Sequence, residues 1–239
     1  MLVVLEYLEE GEVGTIYTNL DVNQIDRITT ALAGMHAKWW NSPELAKLSQ
    51  VRTFEEVMAG GSKLFASKVF SGQRFLEQYG EMVHPEIHKV YSSSTQWDSK
   101  LQAGFSGNRT LCNYDVTAKN LFFPSDPRQP PKFFDWELLI RGSIGVELAV
   151  ILAYSLRIED HGKMFELLDH YLETIHGLGI TELTRDTLRN DFRHGLLVRL
   201  AAPIALASRN HQSARDLALE ILPRITSAVL ETDALELLE

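Results

Sequence analysis

Apolar positions recur along most of this chain at helical spacing, and one stretch breaks the rule. Ile25, Ile28, Leu32, Met35 and Trp39 recur at three- and four-residue steps and predict a helix. Asp21 with Gln24 three positions on has the spacing of a capping box at its start, and Thr53 with Glu56 repeats it. Helical periodicity returns over 64–83 and again from Pro85, a favourable first-turn residue, to Leu101. There Ile87, Tyr91, Ser94, Trp97 and Leu101 share a face. Residues 146–156 are apolar nearly all round, which predicts a buried helix. Met164, Leu167, Leu168, Tyr171 and Ile175 form the next apolar face, stopped by Gly177 and Gly179. A long helix over 183–209, kinked near Pro203, and a last one over 212–238 containing Pro223 complete the expectation that the chain is helical beyond Trp136.

The exception lies between Arg109 and Glu137. Three short apolar runs, Leu111-Cys112, Leu121-Phe122-Phe123 and Phe133-Phe134, are separated by polar residues. Four prolines over 124–131 predict an exposed connection there, because proline cannot donate to a strand ladder. A further short strand is expected over 2–8, ending at Glu9-Glu10-Gly11. No internal repeat, low-complexity tract or linker divides the chain. The predicted fold is one domain over 1–239, mainly α with a small β-hairpin (α+β).

Composition narrows the functional classes. Of 239 residues, 45% are hydrophobic and 23% charged, the balance of a soluble globular protein able to bury a sizeable core. A net charge of -9 argues against a nucleic-acid face, which needs clustered Lys and Arg. Cys112 is the only cysteine, so no intrachain disulfide is possible and a reducing, cytoplasmic location is expected. The N-terminus lacks the basic lead of a signal peptide. The longest near-apolar run, 144–156, is interrupted by Glu147 and is too short to span a membrane, so no membrane partner is expected.

The candidate chemistry sits on the exceptional stretch. Asp115 and Asn120 are five apart, and Asp135 follows fifteen residues later at the end of a hydrophobic run. Two carboxylates and a carboxamide gathered by a hairpin offer the oxygen ligands that magnesium prefers, beside a group able to orient a hydroxyl. Each residue also has a plainer reading. Asp115 and Asp135 are ordinary turn residues, Asn120 a strand-start cap, and Lys119 a solvated loop lysine. Asp135 resists the plain reading most, since a charge behind a hydrophobic strand and beside Trp136 needs a partner.

Leu111-Cys112-Asn113-Tyr114-Asp115 through Asn120-Leu121-Phe122-Phe123, with Asp135-Trp136-Glu137 and then Gly142, Gly145, Leu148 and Ala149, resembles two ordered segments of the aminoglycoside phosphotransferase and choline kinase-like superfamily. Leu32 to Trp40 resembles the same superfamily's "LAxLHAxxW" helix, and the ecdysteroid kinase-like branch is the most similar. The resemblance implies the C-terminal lobe of the protein-kinase-like fold. On it, 1–10 is a hinge-like strand, 111–137 the catalytic loop and metal-binding hairpin, and 138–239 the C-terminal helices. Its implied chemistry is ATP- and magnesium-dependent phosphoryl transfer to a small-molecule hydroxyl, whether steroid-like, choline-like or aminoglycoside. Asp115 becomes the catalytic base or orienting group, Asn120 and Asp135 the metal ligands, Lys119 a phosphate contact, and Glu6 and Leu8 part of the adenine-binding hinge. These residues hold no Gly-rich phosphate loop with a strand lysine, so the nucleotide lobe is expected to be missing. Three departures bear on the loop's bracing: Asn113 and Tyr114 stand where the family has His and Gly, and Glu147 where it has Asp. A degenerate, non-catalytic binding domain is the alternative expectation.

Other constellations carry less. Gly104-Phe105-Ser106-Gly107 resembles a nucleophile elbow with its second glycine one residue early. His84 and His88 have helical metal-ligand spacing but no third ligand. Asp160-His161 and Asp169-His170 read as solvated pairs. Cys112 reads as a small buried apolar residue, and Trp39, Trp40, Trp97 and Trp136 as core.

Overall fold

In a computed structural model, the described residues are 8–15, 18–57, 72–93 and 104–239. They are mainly helical, with two small antiparallel sheets. Helix α1 (Val22–Trp39) opens on the expected capping box: Asp21 accepts from the Gln24 amide at 2.9 Å, and Gln24 returns an acceptor to the Asp21 amide at 3.1 Å. Its buried face holds Ile25, Ile28, Leu32, Ala33 and two polar residues, Thr29 and His36. Thr53 and Glu56 make the same reciprocal bonds, at 3.1 and 2.7 Å, ahead of a helical turn at 54–57. Helices α2 (Gly72–Tyr79) and α3 (Pro85–Ser92) account for part of the periodicity over 64–101. Ile87 and Tyr91 are buried as predicted, whereas Ser94, Trp97 and Leu101 lie outside the described residues.

The strands are β1 (Gly11–Val13), β2 (Thr110–Asn113), β3 (Leu121–Pro124), β4 (Lys132–Phe133) and β5 (Leu139–Gly142). The predicted hairpin is β3–β4, with Leu121 opposite Phe133. Strand β1 adds to its other edge, pairing Val13 with Phe122, so the order is β1-β3-β4. The proline-rich turn is exposed between its buried end residues, Pro124 and Pro131. A strand lies at 11–13, and the strand expected over 2–8 falls outside the described residues except for Leu8. One expectation needs correction: the chain is not helical immediately beyond Trp136. A single 3₁₀ turn, Trp136–Leu138, leads into β5, which pairs with β2 and sets Cys112 opposite Ile140. Strand β5 alternates, with Ile140 inward and the Arg141 guanidinium outward on the carbonyls of Val51 and Leu45, but four residues are too few to announce a period of two.

The remaining chain forms α4 (Ile144–Ser155), α5 (Met164–Gly177), α6 (Arg185–Arg199), α7 (Ala201–Ala207) and α8 (Gln212–Glu231). Every residue of α4 is buried, as its uniform apolarity requires. It crosses α6 where Gly145 and Gly195 meet backbone to backbone, leaving no room for a Cβ at either. The expected kink near Pro203 is a break at Leu200, with Pro203 in the first turn of α7, where a missing N–H is tolerated. Helix α8 continues through Pro223. Asp160 and His161 are buried, not solvated, because the 3₁₀ turn Ile158–Lys163 packs under α8. One hydrophobic cluster runs from Leu20 to Ala234. Among the described residues, no helix is long and apolar enough to cross a membrane.

Candidate functional site

Strand β2 ends at Asn113, and a loop closed by the 3₁₀ turn Ala118–Asn120 carries the chain into β3. Asn113 spans the site. Its Oδ1 accepts from the Asp115 amide at 3.2 Å, and its Nδ2 donates to the Asp135 carbonyl at 3.1 Å. Asn120 donates from Nδ2 to both the carbonyl and the carboxylate of Asp115, at 2.8 and 2.9 Å. The Phe134 amide donates to the Asn120 carbonyl at 3.2 Å. These bonds bring Asp115, Asn120 and the Asp135 backbone into one neighbourhood, although twenty residues separate the outer two.

The three side chains are not equally exposed. Asn120 is buried, the Asp115 side chain is 26% exposed, and Asp135 is exposed. The expectation of a charge trapped behind the strand is therefore wrong. Asp135 takes a left-handed conformation, φ 59°, which turns residues 135–138 outward. Trp136 goes with it and is 40% exposed, not core. Asp and Asn tolerate that backbone region better than other non-glycine residues. Lys119 is not a free solvated lysine: its Nζ lies 2.9 Å from Asp115 Oδ2. Leu8 is half-buried ahead of β1, and Glu6 lies outside the described residues.

The three departures are accommodated by local geometry. Tyr114 keeps a negative φ, so this loop does not need the glycine. Its ring turns inward, its hydroxyl donates to the Ser143 carbonyl at 3.1 Å, and burial pushes the phenol's pKa well up. Glu147 accepts from the Asn113 amide at 2.8 Å through Oε1, while its Oε2 lies 2.5 Å from His36 Nε2. The donor set of two carboxylates and a carboxamide suits a hard cation such as magnesium. The amide nitrogen of Asn120 is committed to Asp115, which directs its carbonyl oxygen elsewhere.

A second polar cluster braces the approach to β2. Ser106 donates to Asp191 from its amide at 2.8 Å and its hydroxyl at 2.7 Å, and Ser143 adds a third bond at 3.2 Å. Burial raises the Asp191 carboxyl despite these donors. The 104–107 turn is thus an anchored turn: Ser106 bonds the carboxylate directly, with the His194 ring packed on Gly104 and Phe105. His84 caps α3, accepting from the Glu86 amide at 3.3 Å through Nδ1. A groove of about 700 Å³ runs between Ser106, Phe165, Arg189, Asn190 and Arg193, and none of its lining residues belongs to the 113–137 segment. Its two arginines are already paired, Arg189 with Asp169 and Arg193 with Glu236.

His36, Tyr171, Thr110 and Asp191 shape the site and were not singled out as functional from the sequence. One signal was present: His36 falls four residues after Leu32, a polar group inside an apolar stripe. No protein-family model matches the chain, and no curated protein matches it.

Proposed function

We propose that this domain carries the hydroxyl- and metal-binding half of a magnesium- and ATP-dependent phosphotransferase acting on a small-molecule hydroxyl. The observation that supports it is the hydrogen-bonded grouping of Asp115, Asn120 and Asp135 around Asn113. In this reading Asp115 accepts a hydrogen bond from the substrate hydroxyl and aligns it for attack. Asn120 and Asp135 would hold magnesium through oxygen, and the ion would neutralise charge on the phosphates. Lys119 already contacts Asp115, from where its ammonium can turn to a phosphate oxygen. The hinge-like start at Leu8, the choice among steroid-like, choline-like and aminoglycoside acceptors, and a cytoplasmic location belong to the same proposal.

One observation favours a second reading, a non-catalytic domain that keeps a ligand site. The Asp115 carboxylate is capped by both Lys119 and Asn120, which leaves it less free to receive a hydroxyl. Calorimetry of ATP and ADP with and without magnesium separates the outcomes. Magnesium-dependent binding that is weakened by Asp135→Asn is the expected result, and no binding by the wild-type chain removes the phosphotransferase reading of this domain. Binding without phosphoryl transfer to any hydroxyl offered supports the non-catalytic one.

A further inference from the structure

In a chain of net charge -9, one pocket among the described residues is lined by two arginines and by no carboxylate. It measures about 210 Å³ and lies where α2 meets α7 and the start of α8. Arg74 and Gln78 line it from α2, and Asn210 and Arg215 line it from the opposite wall. Phe75 and Ile204 add buried apolar surface. The core holds the two walls together. Phe75 packs edge-on to Tyr91 with ring centres 5.6 Å apart, and the Tyr91 hydroxyl donates at 2.8 Å to the Leu200 carbonyl, at the break between α6 and α7.

Arg215 is half-buried, and its guanidinium has no hydrogen-bond or ion-pair partner among the described residues. Every other arginine of comparable or deeper burial there has one. A charge drawn partly out of water and left unpaired costs free energy that a bound anion would offset. The carboxamides of Gln78 and Asn210 are also uncommitted among the described residues, while the Ser208 hydroxyl already donates to the Ala205 carbonyl at 2.7 Å. The Arg215 fork alone would saturate the two oxygens of a carboxylate. A phosphate dianion has oxygens left for the carboxamides and a second charge to match the Arg74 cation. The volume falls below the roughly 300–1,000 Å³ of a site that encloses a drug-sized ligand, and it suits the phosphate end of a small ester. We propose that this pocket binds the phosphoryl group of a small soluble phosphomonoester, anchored by Arg215 and Arg74, and that the bound group ties α2 to α8. None of its lining residues belongs to 113–137, so the proposal stands without the phosphotransferase reading.

Inorganic phosphate, added without magnesium, is the first probe, against sodium chloride and sodium acetate at matched ionic strength. Phosphate should raise the midpoint of thermal unfolding where the other two do not. It should also shift the amide resonances of Gln78, Asn210 and Arg215 and leave those of Asp115 and Asn120 in place. Arg215→Gln should weaken the binding measured by calorimetry roughly tenfold or more, the worth of one lost charge-assisted bond. Arg215→Lys, which keeps the charge without the fork, should recover only part of it. If Arg215→Gln does not fold, Arg74→Gln, at an exposed side chain of the opposite wall, carries the same comparison. Glycerol 3-phosphate should bind at least as tightly as inorganic phosphate, and phosphatidylcholine vesicles containing phosphatidic acid should not retain the protein. Vesicle binding that is lost in Arg215→Gln would overturn the soluble source in favour of a lipid headgroup, and acetate matching phosphate would overturn the phosphoryl assignment. Equal effects of phosphate and chloride, resonance shifts centred on 113–137, or phosphate binding unchanged in both arginine variants would overturn the site itself. Absence of magnesium–ATP binding in the same samples would remove the phosphotransferase reading and leave this pocket's phosphate binding intact.

Discussion

Asp135 is held at φ 59°, a backbone region that costs an ordinary L-residue about 1–2 kcal/mol and that Asp or Asn enters with less penalty. Its carbonyl is tied to Asn113, so the conformation is imposed by the turn and its side chain faces solvent. Substitutions there separate backbone from charge. Asp135→Asn should leave the midpoint of thermal unfolding close to wild type while weakening magnesium-dependent nucleotide binding. Asp135→Ala should weaken that binding and also cost about 1 kcal/mol of stability. Equal destabilisation by both would show that the carboxylate, not the backbone, holds the turn. Asp115, Asn120 and Asp135 were legible as a set because their spacing around two apolar runs is visible in one dimension. Lys119 on Asp115 was not, since that pairing depends on the loop's path.

Among the elements, the contact of α4 with α6 is the most demanding. Gly145 and Gly195 allow the two backbones to touch, and a methyl on Gly195 would meet the Gly145 carbonyl. Gly195→Ala should therefore destabilise by about 1–3 kcal/mol, although alanine is the better helix former. Chemical denaturation would show it, and an unchanged or raised midpoint would mean the helices separate freely. The helices were readable because eighteen or so residues give several repeats of the 3.6 period. Strands β1 and β5 were not, at three and four residues. Each is a strand only because a neighbour is there to pair with it.

For the whole molecule, stability is linked to pH through a residue far from the proposed site. His161 is buried with Nδ1 against Ser227 Oγ at 2.9 Å. Burial, helped by the Arg224 cation, lowers its pKa to about 4 from 6.5. The unfolded chain thus takes up this proton first as pH falls. Its contribution is complete above pH 6.5 and shrinks between 6.5 and 4, by about 3 kcal/mol at most. Unfolding curves across that window should show the decline, and His161→Gln should flatten it. The same slope in the variant would assign the effect to other groups. Sequence pattern placed this histidine in a solvated pair, because nothing local shows that α8 closes over it.

Periodicity, capping spacing and proline placement determined by themselves that this chain is a helical domain interrupted by a hairpin, since those rules act within a few residues. The three oxygen-bearing side chains were on view for the same reason. Tertiary structure alone decided that Asp135 faces outward, that Tyr114 fits where the resemblance has glycine, and that Glu147 reaches Asn113. It alone brought His36 and Tyr171 behind the loop, from 77 and 58 residues along the chain from Asn113. Burial of a charge forces such partners together, and which partners are in reach is a property of packing, not of order along the chain.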